Sequence, residues 1–395
     1  MNRRNETVSV GKGPLAGIRI VEVAGIGPGP FCGMMLADMG AEVISVERSV
    51  NRAAPYDPLQ RNRHRIALDL KSTAGLQALL KLADRADAIF EGYRPGVAER
   101  LGFGPEVCLE RNAGLVYGRM TGWGQSGPLA TTAGHDINFI ALSGALHAIG
   151  RGGDKPVPPL NLVGDFGGGG MLLAFGMVCA LLEAQRSGKG QVVDAAMVDG
   201  SIALMAMCIG MRGAGLFADE VGSNFLSGAA HYYDTYATAD GKFIAVGALE
   251  PQFYELLMEK AGLDREAFAA GCMTAAQGHD AAAWADLKCK LAAVFRTRTR
   301  DEWCAVFEGT DACVAPVLSI SEAPAHPHNI ERGAFVDVAG SVQNAPAPRF
   351  SRTPAATPVA ARSDREDIEA LLGRWNCSEA EASAVLAASF ASNAV

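Results

Sequence analysis

The chain has 395 residues, 49% of them hydrophobic, and its 35 basic and 43 acidic side chains leave a formal net charge of −8. That length exceeds one compact core and predicts two or three domains, while the acidic balance disfavours a nucleic-acid partner, which needs a broad basic face. No apolar run reaches the ~18–20 residues of a membrane span, Met1-Asn2-Arg3-Arg4-Asn5-Glu6 leads into no signal region, and nine scattered cysteines without a Cys-x-x-Cys pair suit a reduced, intracellular setting.

Residues 17–24 are rich in β-branched side chains and predict a strand, residues 30–39 a short helix stopped by Gly40, and residues 42–47 the next strand. Further cycles follow at 88–90 and 115–117, each after a helix-like run. The alternation predicts a parallel α/β domain. The apolar run 171–182, bounded by a glycine tract and by Glu183, reads as a buried helix. A long helix is expected over 195–212.

The pattern then changes. Residues 233–238 and 242–247 flank Ala239-Asp240-Gly241 as a hairpin, and helices are expected after Pro251, over 284–295 and over 302–307. A smaller α+β domain is therefore placed at 216–319, between a large α/β domain with its linker helix at 1–215 and a return segment at 320–395. Within that segment 345–361 reads as extended, 364–372 as a helix, and the tail beyond Cys377 as either a docked helix or a frayed end.

Several positions carry chemistry or a plainer role. Gly25-Ile26-Gly27-Pro28-Gly29-Pro30 follows the first strand and opens a helix, where backbone can approach an anion. Its two prolines and the missing Gly-x-Gly-x-x-Gly spacing argue against a dinucleotide site. Arg48 follows the second strand, Arg61, Arg63, Arg65 and Lys71 form a basic interval, and Arg94 lies at a strand-to-helix turn with Arg100 beyond it. These are either phosphate and adenine contacts or a solvated charged face.

His135 stands at a helix start, where it is either a hydrogen-bonded structural histidine or a neutral imidazole facing a cavity, and Asp136 is a candidate cap. Asp165, ahead of four glycines, is either a helix cap or a carboxyl whose pKa an apolar pocket raises until it can hold and return a proton. Glu250 ends a strand before Pro251 and is either a salt-bridge partner or a carboxylate that orients His135. His64, His147, His231, His279, His326 and His328 make no metal array, and Ser126 lacks a nucleophile-elbow pattern.

Taken together, the 25–30 turn and the segments 91–96, 120–125, 134–138, 158–169, 188–194 and 248–253 resemble the family of α-methylacyl-CoA racemases and class III CoA-transferases. The resemblance runs from Gly13 to about Trp375. It implies a Rossmann-like large domain and a small domain in an interlocked homodimer, with the active site between the large domain of one subunit and the small domain of the other. It implies His135 and Asp165 as catalytic proton carriers and Glu250 as the partner of the histidine. Arg48, Lys71, Arg94 and Arg100 resemble CoA contacts, and Asp136 and Tyr233 resemble residues lining the reacting end.

The implied substrate is a 2-methylacyl-CoA thioester, with CoA part of the substrate, no separate cofactor and no metal. The alternative within the family is CoA transfer with Asp165 as nucleophile, against which His135 stands, since the transferases generally place tyrosine there. The terminal Ser392-Asn393-Ala394-Val395 bears no resemblance to a peroxisomal address, and a cytoplasmic setting is expected.

Overall fold

The structure is a computed structural model that describes residues 12–50, 57–268, 271 and 281–392. Its contacts divide the chain into two units, Met1–Ser143 with Leu160–Leu204 and Ile330–Val395, and Gly144–Pro159 with Met205–Asn329. The second unit thus begins at 205 where the sequence suggested 216, ends at 329 where it suggested 319, and takes in the excursion 144–159. The opening residues 1–6 and His279 lie outside the described residues.

The first unit is built on six strands, β1 (Arg19–Val23), β2 (Glu42–Glu47), β3 (Arg63–Ala67), β4 (Ala88–Glu91), β5 (Val116–Thr121) and β6 (Val192–Ala196). They pair in the order β3-β2-β1-β4-β5-β6, every pair parallel. Central strands of a covered parallel sheet meet apolar layers on both sides, and β1 shows why its near-continuous apolar run suits that place. Val21 and Val23 face a core with Leu79, Leu82, Leu371, Trp375 and Val385. Ile20 faces the opposite core with Cys32, Leu36, Leu173 and Met177. The tail beyond Cys377 is a helix, Glu379–Ser392, whose Val385 and Leu386 complete the first of these cores.

Strand β3 departs from the sequence reading, which saw a basic interval there. Arg61, Arg63 and Arg65 neither contact solvent as a charged face nor stand free for phosphate. Arg61 pairs with Asp38 at 2.6 Å, Arg65 with Glu47 at 2.6 Å, and Arg63 with Glu22. Each cation meets a carboxylate from β1, β2 or the helix Pro28–Asp38, and the pairing holds this edge of the sheet. Deleting one partner of such a buried pair leaves an uncompensated charge and costs about 3–5 kcal/mol.

The glycine tract also differs from expectation. It does not bound the apolar helix but forms it, as a π-helix, Leu162–Met171, that runs on into the α-helix Leu172–Ser187. The combined 26 residues are long and apolar enough to cross a membrane by length and composition, with 44% of the most apolar window buried. Glycine is required here because backbones meet: an added Cβ would lie 2.7 Å from the Ser201 nitrogen at Gly168 and 2.7 Å from the Pro28 carbonyl oxygen at Gly170. The expected helix over 195–212 is divided, with Ala195 and Ala196 ending β6, then Met197–Leu204, a break at Met205, and Ala206–Gly213.

In the second unit the expected hairpin is present as β7 (Tyr233–Ala237) and β8 (Phe243–Gly247), and a third antiparallel strand, β9 (Val314–Val317), joins it. Pro316 sits in β9, on the edge of this small sheet, where a missing N–H is tolerated. Helices Pro251–Ala261, Ala281–Phe295 and Arg300–Phe307 accompany it, and Tyr236, Ile244, Leu257, Leu291, Phe295 and Trp303 fill the core. The last helix starts two residues before the sequence reading because Thr299 and Glu302 close a capping box. A further hairpin, β10 (Phe335–Val338) with β11 (Ser341–Asn344), was unforeseen in the return segment.

Candidate active site

Strand order reverses between β1 and β4, and ligands of open parallel sheets bind at the carboxyl ends of strands beside such a switch. A cavity of about 670 Å³ lies there. Its walls are the 25–29 turn after β1, Gly92, Tyr93 and Arg94 after β4, and Thr121, Gly122 and Trp123 at the end of β5. His135, Asn161 and Asp165 complete it. The topology therefore brings the glycine-proline turn, the arginine turn and both proton-carrier candidates to one place.

His135 is exposed and immediately precedes the helix Asp136–Leu142, with its backbone N–H held by the Asn138 side chain at 3.0 Å. Asp136 is buried and is the first residue of its helix rather than its cap, a position that His135 takes. One of its carboxylate oxygens accepts the backbone N–H of Asp165 at 2.7 Å, and the other has no hydrogen-bond partner. The bare Cα of Gly164 makes this approach possible, since a Cβ there would stand 2.4 Å from that first oxygen.

Asp165 is half-buried in the wide first turn of the π-helix, a feature that recurs at functional sites. Burial holds its carboxyl above the ordinary carboxylate range, with a lesser push from Asp136, against the Asn161 hydrogen bond and the charge of His135. Asn161, one turn earlier, donates its amide to Asp165 Oδ2 at 3.2 Å. Gly27, at φ +71°, lets the 25–29 turn come up to the same carboxylate, where a Cβ would meet Oδ2 at 3.1 Å. Asn161 lies four residues before Asp165, whereas the approach of Gly27, far earlier in the chain, has no sequence signal.

Two backbone donors that could have steadied a developing oxyanion beside Asp165 are already engaged. The Asp165 N–H goes to Asp136 and the Phe166 N–H to the Asn161 carbonyl at 3.2 Å. The amino end of the helix Asp136–Leu142 remains as a source of positive potential near His135.

Of the four cations assigned by resemblance, Arg94 lines the cavity. Arg100 lies one turn further on, in the helix Val97–Leu101, with a guanidinium nitrogen 3.2 Å from where a Cβ of Gly96 would stand. Arg48, after β2, and Lys71, after β3, are exposed and are not among the cavity walls. Glu250 and Tyr233 belong to the second unit. Glu250 is exposed, just before the helix Pro251–Ala261, and Tyr233 lines a separate cavity of about 720 Å³ within that unit. His231 is buried and bonded to the Tyr254 hydroxyl at 2.8 Å. Among the described residues no three His, Cys, Asp or Glu side chains gather as metal ligands.

Residues 15–364 match the model of CoA-transferase family III, and the chain belongs to that family. Among its relatives it is 48% identical over 342 residues to the alpha-methylacyl-CoA racemase of Mus musculus, covering 86% of this chain and 87% of the relative. It is 46% identical over 344 residues to the alpha-methylacyl-CoA racemase of Homo sapiens, with the same coverage. A crystal structure of a CAIB/BAIF family protein from Brucella suis shares the fold at a TM-score of 0.74 and 24% identity, over 89% of this chain and 96% of that one.

Proposed function

We propose that this protein interconverts the two configurations at C2 of 2-methylacyl-CoA thioesters. The observation that carries the reading is that His135 and Asp165 wall one cavity at the switch point of the sheet, in a chain that shares 46–48% identity with racemases of that name. One group takes the α-proton, and the C–H electron pair moves into an enolate of the thioester. The other group then delivers a proton to the opposite face. The roles exchange for the other enantiomer, so both groups must hold and release a proton near neutral pH. Burial of Asp165 serves that need.

In this reading Arg94, with Arg48, Lys71 and Arg100, holds the CoA moiety on a Rossmann-like sheet, and the helix end at His135 stabilises charge on the thioester oxygen. Asp136 lines the reacting end. Glu250 and Tyr233 act from the small domain of a second subunit, Glu250 by orienting His135. The homodimer is supported by large apolar side chains exposed on the first unit, among them Leu162, Phe175, Leu182 and Leu204, since patches of this kind mark interaction surfaces. The chemistry proposed for these residues is proton transfer alone, CoA leaves as part of the product, and a cytoplasmic location is proposed.

Incubating a single enantiomer with purified protein in heavy water tests the reading. Both enantiomers should appear, with deuterium at the α-carbon of the inverted product. Transfer of CoA to an added carboxylate, without inversion, would instead make Asp165 an acyl-accepting nucleophile.

A further inference from the structure

Glu91 ends β4 immediately before the Gly92-Tyr93-Arg94 turn that walls the cavity, and its side chain is fully buried. One carboxylate oxygen accepts the Tyr93 backbone N–H at 2.5 Å. The other faces the Arg119 guanidinium at 3.3 Å, across the register pair that joins β4 to β5. Arg119 is shared. It also pairs with Glu99 at 2.9 Å, and Glu99 sits in the helix Val97–Leu101 that carries Arg100. The turn closes from the other side when the Val97 N–H donates to the Arg94 carbonyl at 3.1 Å.

We infer that Glu91 is the positioning residue for the CoA-binding turn. Through Tyr93 it fixes the backbone that presents Arg94, and through Arg119 and Glu99 it ties that backbone to the helix bearing Arg100. A buried carboxylate is costly to keep without several partners, and here each partner leads to one of two neighbouring cations. Arg94 is exposed, and the direction of its Cα–Cβ bond is set by the turn below it. The assignment rests on the proposal that Arg94 contacts CoA. Glu91 does not line the cavity and acts only through the turn.

The test compares Arg94→Ala, Glu91→Met, Glu91→Leu and Glu91→Gln by titration with free coenzyme A and by steady-state kinetics on both enantiomers. Methionine and leucine fill the buried space without an acceptor, and either carries the test should the other not fold. Glutamine keeps an acceptor oxygen. Arg94→Ala should weaken CoA binding. Glu91→Met and Glu91→Leu should weaken it about tenfold, the worth of one net hydrogen bond, raising KM equally for both enantiomers with kcat nearly unchanged. Glu91→Gln should recover most of the affinity. Loss of CoA affinity in Arg94→Ala, with unchanged KM and CoA affinity in folded Glu91→Met or Glu91→Leu, would overturn the role of Glu91 alone. Unchanged affinity in Arg94→Ala would remove the CoA contact itself, and this inference with it.

Discussion

The buried carboxylate of Asp136 accepts the backbone N–H of Asp165 at 2.7 Å, so the residue next to one proposed proton carrier holds the main chain of the other. The two carriers are thus coupled through backbone. Asp136→Ala should lower kcat at least tenfold and cost about 1–3 kcal/mol of stability, the range for leaving a buried donor unsatisfied. Asp136→Asn keeps an acceptor oxygen and should retain more of both. Equal losses in kcat for the two variants, measured on folded protein, would argue against the acceptor role.

His135 and Asp165 are proposed to address opposite faces of the α-carbon. His135→Ala should therefore suppress deuterium exchange from one enantiomer and Asp165→Ala from the other, while each variant still exchanges the enantiomer served by its surviving base. Chiral analysis with deuterium counting reads this directly. Loss of exchange from both enantiomers in both variants, each shown to bind CoA, would exclude independent bases.

The Asn161 amide stabilises the ionised form of Asp165 and opposes the rise that burial causes. Asn161→Ala removes that support, so the folded-state pKa of Asp165 should rise further. Asp165 acts as a base only when ionised, and exchange of its enantiomer should then fall away at a higher pH than in the unsubstituted protein as the solution is acidified. A pH profile of exchange in the His135→Ala background isolates this limb. A limb that stays in place or moves down would contradict the assigned hydrogen bond.

Glu91 offers a pH-linked measure of stability. Burial pushes its carboxyl up to about 7, outweighing an Arg119 guanidinium that is shared with Glu99. A raised acid pKa means that Glu91 favours the folded state at pH below its unfolded value of 4.5, and that this contribution is lost as pH rises towards 7. In urea unfolding, Glu91→Gln should gain about 2 kcal/mol relative to the unsubstituted protein between about pH 5.5 and about pH 8.5. A difference independent of pH would show that Glu91 is ionised throughout.

A Cβ at Gly200 would lie 1.9 Å from the Gly168 carbonyl oxygen, between the π-helix and the helix Met197–Leu204. Gly200→Ala must part these backbones and should destabilise by about 1–3 kcal/mol, as overpacking does, and should reduce turnover because the π-helix carries Asp165. Gly210→Ala, in a helix with no atom near the added methyl, should be neutral or stabilising. Thermal melts of the two variants separate close packing from helix propensity.

Periodic elements and local chemistry are legible in the order of the residues alone. The runs at β1, β2, β4 and β5 announce their strands because strands covered on both faces need continuous apolar residues. The β7–β8 hairpin follows from Ala239-Asp240-Gly241, and His135, Asp165 and Arg94 stand in short motifs that carry a family resemblance. Whatever depends on partners distant in sequence is visible only once the chain is folded. Strand β3 reads as a solvated basic stretch because the carboxylates that neutralise it, Asp38, Glu22 and Glu47, lie on other elements. The four glycines read only as a boundary of the apolar helix because their place inside it depends on Pro28 and Ser201 meeting them at backbone distance. Asp136 reads as a helix cap because its true acceptor duty, towards Asp165, is 29 residues away. Local periodicity reports which face of an element is apolar, whereas a buried charge or a bare Cα takes its meaning from whatever the fold places against it.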